Sequence, residues 1–234
     1  MSGRYRLLPL LGCLLLSACA TAPQQSPAAA ATAVVAPVAE ASVASLPIVA
    51  IPTQAPGFWD QLRASFVLTG CEDNAVVAHW AARYTAHPQR FDARLKNVLP
   101  ELRYIADAVH SQNIPGEFVF LPWVESSYRP LPARGNGAGG MWQIMPRTAR
   151  SLGLRIDQRY DARLDLHLAT HAALRLLQRY DDKFHDWRLA DMAYNAGMYG
   201  ILKLLNARST PLDDRAIPAL PVKPVTRNHL AKLI

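Results

Sequence analysis

From Phe58 onward, apolar residues recur every three or four positions, and no alternating strand pattern of useful length interrupts them. A chain patterned this way buries stripes of helix against one another, so the predicted class is mostly α. Asp73 to Tyr84 starts on an acidic cap and carries Val76, Val77, Trp80 and Ala81 at helical spacing. Phe91 to Gln112 carries Leu95, Val98, Leu99, Leu102, Ile105, Ala106 and Val109, with Pro100 marking a bend or a join. Pro115 suits a first helical position and Glu117 the first turn. The stretch from Pro115 to Ser127 is almost wholly apolar, which predicts a core helix. Further helices are predicted at Pro146–Gly153, Leu164–Lys183, Trp187–Ala196 and Met198–Ala207. The glycines of Gly135–Gly140 break the pattern and predict a small hairpin or turn near 133–142.

The N-terminus is different in kind. Arg4 and Arg6 precede an apolar run, Leu7 to Leu16, of about ten residues, too short to span a bilayer. Small residues follow, as in an export signal. Leu16-Ser17-Ala18-Cys19 resembles the lipobox of bacterial lipoproteins, in which Cys receives lipid after cleavage. The resemblance implies a signal peptide at 1–19 and a lipid anchor on Cys19, and Ala20 in place of Asp favours the outer membrane, facing the periplasm. Residues 20–56 are rich in Ala, Pro, Ser, Thr and Val, a composition that buries too little to offset chain entropy. They read as a disordered tether kept extended by proline, leaving 57–234 as the folded domain. Of three Cys, Cys13 falls in the signal and Cys19 is the lipid candidate, so Cys71 has no partner for an internal disulfide.

Removing the signal's two arginines takes the formal charge from +7 to +5. A mildly basic domain suits an anionic partner; export argues against nucleic acid and leaves the wall's peptide carboxylates.

Three segments carry candidate chemistry. In Leu121-Pro122-Trp123-Val124-Glu125-Ser126, Glu125 shares a helix face with Phe118, Leu121 and Pro122. A carboxyl among apolar neighbours favours its protonated form, the form a general acid needs near neutral pH. The alternative is a buried Glu paired to an Arg for structure. In Gly135-Asn136-Gly137-Ala138-Gly139-Gly140-Met141-Trp142-Gln143-Ile144-Met145-Pro146, glycines permit close approach of a ligand, and Met141 and Trp142, read as exposed, suit sugar faces. Gln143 adds a donor and an acceptor. The loop lacks GxxxxGK[ST], against phosphate binding. The third segment, Ala193-Tyr194-Asn195-Ala196-Gly197, alone is consistent with a plain helix end.

Taken in order, the three segments resemble the soluble-lytic-transglycosylase family, with its goose-lysozyme-like helical fold. The family marks are Glu-Ser at the end of a core helix, a Gly-Ala-x-Gly loop ending in Gln-[apolar]-Met-Pro, and Ala-Tyr-Asn-Ala-Gly. The resemblance runs from about Phe58 to the C-terminus, including Leu220-Pro221 and Thr226. It implies cleavage of the β-1,4 bond between N-acetylmuramic acid and N-acetylglucosamine in peptidoglycan glycan strands. One carboxylate protonates the leaving oxygen and then takes the proton of the muramoyl C6 hydroxyl, closing a 1,6-anhydro ring with help from the 2-acetamido group. Ordinary glycosidases use two carboxylates. Glu125 matches the acid/base, and Ser126, Met141, Trp142, Gln143, Tyr194 and Asn195 match positions that shape the substrate site, Tyr194 hydrogen-bonding near the acid or substrate. No cofactor is implied.

Two positions depart from the family pattern. Arg134 stands where members often carry a Ser that orients the acetamido group; the expected arrangement turns Arg134 outward along the substrate groove. The closing Thr-x-x-Tyr segment here reads Thr226-Arg227-Asn228-His229. No LysM-like wall-binding repeat is read in the sequence. His167 and His171 have a zinc-like i, i+4 spacing but lack HExxH and a third ligand, so no metal is expected. A lysozyme-like hydrolase and a non-catalytic glycan-binding scaffold are the competing readings.

Overall fold

A computed structural model describes residues 56–68 and 74–234. The signal, the lipobox with Cys19, the tether up to residue 55 and Cys71 lie outside the described residues.

The described chain is helical, as its periodicity predicts; among these residues the β-type pairing is confined to isolated bridges. Helix α1 spans Phe58–Ala64 and α2 Ala75–Thr85. The cap of α2 is Asn74, whose side chain accepts from the amides of Val76 and Val77.

The long helix read over Phe91–Gln112 is two helices, α3 (Pro88–Asn97) and α4 (Leu99–Ser111), joined at Val98. Pro100 sits in the first turn of α4, where its missing N–H leaves no bond unmade. The core helix read over Pro115–Ser127 also divides. Gly116–Phe120 is a 3-10 helix, and α5 is the short Leu121–Ser126. Pro122 occupies the first turn of α5 and cannot donate back into the preceding turn, so the chain restarts its helix there.

Helix α6 (Pro146–Ser151) follows the glycine loop. Then come α7 (Leu166–Phe184), capped by Asp165, α8 (Trp187–Ala196), capped by Asp186, and α9 (Met198–Asn206). Helix α10 (Pro224–Leu233) closes the chain and has no clear apolar periodicity to announce it. Its buried Thr226, His229, Leu230 and Leu233 follow helical spacing, but two polar residues interrupt the apolar stripe.

Helix α7 packs on α4 and α8, and α8 in turn packs on α9 and α10. One core cluster gathers Leu102, Ile105, Phe118, Leu121, Trp142, Leu174 and Leu177. A second gathers Val77, Leu189, Met192, Ile201, Leu220 and Leu230. Helix α8 serves both, since Leu189 and Met192 belong to the second while Trp187 and Tyr194 pack against the first. Among the described residues no helix is long and apolar enough to cross a membrane.

Candidate active site

Helix α5 ends abruptly just after Glu125. Ser127 and Tyr128 both take left-handed backbone angles, φ 55° and 59°, uncommon for residues with a side chain. The turn is held from within: buried Tyr128 donates its hydroxyl to the Val119 carbonyl at 2.6 Å. Burial pushes the Tyr128 hydroxyl far above its ordinary pKa, so it stays a donor.

Glu125 therefore sits at the end of a core helix with its side chain 16% exposed. Its neighbour is not purely apolar, as the sequence reading supposed. His229 Nε2 lies 2.9 Å from Glu125 Oε1. On the far side of the ring, His229 Nδ1 lies 3.0 Å from the carboxylate of Asp191, which is wholly buried on α8. Burial alone would hold the His229 pKa down, but the Asp191 and Glu125 carboxylates outweigh it and push it up to about 10. The structural partner considered from sequence was an Arg; the partner present is a His.

The three sequence segments meet through named bonds. Ser126 Oγ donates to the Met141 carbonyl at 2.7 Å, tying α5 to the glycine loop. Tyr194 donates its hydroxyl to the Trp142 carbonyl at 2.7 Å, tying α8 to the same loop. Burial raises the Tyr194 pKa well above its ordinary value, and the nearby charges of Glu125, Tyr180 and Asp191 add to it. Thr226 donates to Asn195 Oδ1 at 2.8 Å, joining the end of α8 to α10. The pair His229–Glu125 then closes the circuit from α10 back to α5.

The predicted hairpin near 133–142 is a compact turn in which Gly139 and Ile144 exchange two backbone bonds, 3.2 and 3.0 Å. Gln143 turns its chain with φ 46°, and its side-chain amide donates to the Gly140 carbonyl at 2.6 Å. Gly140 has φ +78°, and a Cβ there would lie 1.8 Å from the Arg163 carbonyl oxygen. Arg163 was not singled out in the sequence. It is nearly buried, bonded to Asp161, and donates to the carbonyls of Gly137 and Ile144, each at 2.9 Å. An Asp two residues before an Arg was the only local signal, and it is too common to be read.

Trp142 and Met141 require correction as sugar platforms. Trp142 is 0% exposed and Met141 5%. The indole donates inward to Thr170 Oγ1 at 3.0 Å, so Trp142 is a core residue that fixes the loop from beneath. Met145, 51% exposed, is the apolar residue that the loop shows to solvent. Ser126 is likewise buried and acts by tying backbone.

Arg134 is exposed and forms no ion pair with Glu125. It lines a cleft of about 500 Å³ together with Leu131, Pro132, Ala133, Gly137, Ala138 and Gln143. His167 and His171 stack at 4.5 Å between ring centres, and Tyr104 reaches His167 Nδ1 at 2.5 Å. Among the described residues no group of three candidate metal ligands forms.

Residues 104–215 match the family model of the transglycosylase SLT domain. The match is to that family's catalytic domain and covers just under half of the chain. The matched segment holds Glu125, the glycine loop and Ala193–Gly197 but stops short of α10 and His229. The chain is also 36% identical, over 136 residues, to membrane-bound lytic murein transglycosylase D of Escherichia coli strain K12. The same protein from E. coli O6:H1 matches at the same 36%. Both alignments cover 58% of this chain and 30% of the relative, so the chain spans less than a third of the length of these two relatives.

Proposed function

We propose that this chain belongs to the SLT transglycosylase family and is a peptidoglycan lytic transglycosylase with Glu125 as its single acid/base. The observation that carries the reading is the circuit of bonds that sets a half-buried carboxylate beside the glycine loop, between Ser126 and the Tyr194–Asn195 end of α8. Among the described residues, Glu125 Oε2 has no hydrogen-bond partner, so it is the oxygen left for substrate. The proton on Oε2 passes to the glycosidic oxygen as its bond to muramoyl C1 breaks, with the substrate's acetamido group assisting. The C6 oxygen then closes on C1, and its proton returns to Glu125. No water is consumed and no metal or cofactor takes part.

A hydrolase would need a second carboxylate to activate water. The nearby candidate, Asp191, is wholly buried behind His229 and cannot reach a water on the sugar. Incubating the full chain with purified sacculi tests the activity: soluble muropeptides are the expected release, and intact sacculi at high enzyme would contradict the reading.

Arg134 lies along the groove in this proposal, contacting lactyl or peptide carboxylates. Arg134→Ser is expected to keep turnover of bare glycan. On peptide-bearing strands KM should rise by roughly 2–5-fold, the scale of an exposed ion pair. Loss of activity on both substrates would place Arg134 in the chemistry.

We further propose that residues 1–19 are a lipoprotein signal and that Cys19 anchors the chain, through the 20–56 tether, to the outer membrane. Metabolic labelling with a palmitate analogue should mark the wild type and not Cys19→Ser. A cleaved, unlabelled, freely soluble wild type would remove the anchor.

A further inference from the structure

We infer that His229, braced by buried Asp191, is a positioning residue for the reaction, holding Glu125 by Oε1 and stabilising the carboxylate left when Oε2 gives up its proton. This rests on Glu125 being the acid/base.

The geometry separates the two oxygens of Glu125. Oε1 faces His229 Nε2 at 2.9 Å, and Oε2 is left for the sugar. A fixed donor aimed at one oxygen orients the proton on the other. As the proton leaves, negative charge grows on the carboxylate that the ring already faces, in a pocket closed to most water. Such a preset charge is worth more in the transition state than in the ground state. Asp191 holds the far side of the ring, which keeps the Nε2–H aimed at Glu125 Oε1.

The surroundings make the pair a closed unit. His229 faces Glu125 of α5 and Asp191 of α8, and the charges of both carboxylates act on the Tyr194 hydroxyl, which donates to the Trp142 carbonyl. Helix α2, also packed on α10, carries His79, Arg83 and Tyr84, none bonded to His229. Glu117 of the 3-10 helix is occupied by the amides of Val67 and Leu68. A phenol at position 229 would supply a neutral donor without need of a buried anion, so the Asp191–His229 couple is a charged version of such a support.

The charge has a pH signature. His229 is raised from 6.5 to about 10, so the stability it contributes is complete below about pH 6.5 and is lost as pH rises through about 10. Activity should fall over the same alkaline limb.

Nitrogen NMR of the imidazole in the wild-type chain tests this without any variant. Both ring nitrogens of His229 should remain protonated at pH 8, and a neutral ring at pH 7 would overturn the inference. Kinetics on soluble glycan strands supply the second arm. His229→Gln should lower kcat by roughly 10²-fold with KM little changed, and His229→Tyr should recover part of that loss. Asp191→Asn should move the alkaline limb of the kcat profile down by about one unit or more. Folded variants with wild-type kcat and an unmoved alkaline limb would refute the role. So would losses that track the folded fraction alone. If Glu125→Gln stays active, the reading of Glu125 itself fails. If Glu125 proves essential while His229→Gln is neutral, only this inference fails.

Discussion

Glu125→Gln is expected to lower cleavage of sacculi by at least about 10³-fold, within the range general acid–base catalysis supplies. The amide keeps the size of the carboxyl, and its oxygen can still accept from His229 Nε2, now 2.9 Å from Oε1. It has no proton that the glycosidic oxygen can take, and it cannot accept one from the C6 hydroxyl. Both halves of the reaction lose the same group. Binding should survive, because the loop bonds from Ser126, Tyr194 and Arg163 do not involve Glu125. Co-sedimentation with sacculi, a thermal melt and a digestion assay on one preparation separate these effects. Turnover within tenfold of wild type would move the acid elsewhere.

The largest structural effect should come from Gly140→Ala. At φ +78° any Cβ is strained, by roughly 1–2 kcal/mol. Here the Cβ would also lie 1.8 Å from the carbonyl oxygen and 2.6 Å from the carbonyl carbon of Arg163, so backbone has to move. Overpacking of that kind costs roughly 1–3 kcal/mol more. The total is a large part of the roughly 5–15 kcal/mol that holds a domain together. Because Arg163 also carries the Gly137 and Ile144 carbonyls, displacing it loosens the whole loop. A drop in Tm of roughly 5–15 °C is expected, with activity falling further than the folded fraction. Gly135→Ala is the control. It has φ +57° but open space around its Cβ, so it should bear only the backbone strain, about 1–2 kcal/mol. Equal effects from the two substitutions would show that the close approach to Arg163 is not what requires glycine.

These expectations draw on sequence and structure unequally. Local rules located α8 and most of α7 and α9, because each begins at a side-chain cap or a Gly and carries an unbroken apolar stripe. They failed where proline sat inside an apolar run: Pro122 reads as core composition, yet it ends a 3-10 turn and starts a new helix. The candidate site residues Glu125, Gln143, Tyr194 and Asn195 stand out in the sequence because their order along the chain resembles the family's. Their roles stand out less. Trp142 looks like an exposed platform beside a glycine loop, and only the packing of α7 shows its indole turned inward to Thr170. Asp191 and His229 were invisible as a pair. They lie 38 residues apart, on two helices whose contact no local pattern encodes.

The most direct test is the mass of what this chain releases from sacculi. Sacculi digested by the full chain in the presence of EDTA should yield muropeptides ending in 1,6-anhydromuramic acid, lighter by one water than the hydrolytic product, as expected when the substrate's own C6 hydroxyl closes the ring and one carboxylate serves both steps. Reducing-end muramic acid as the main product would show that water attacks instead, and would contradict the single-carboxylate mechanism.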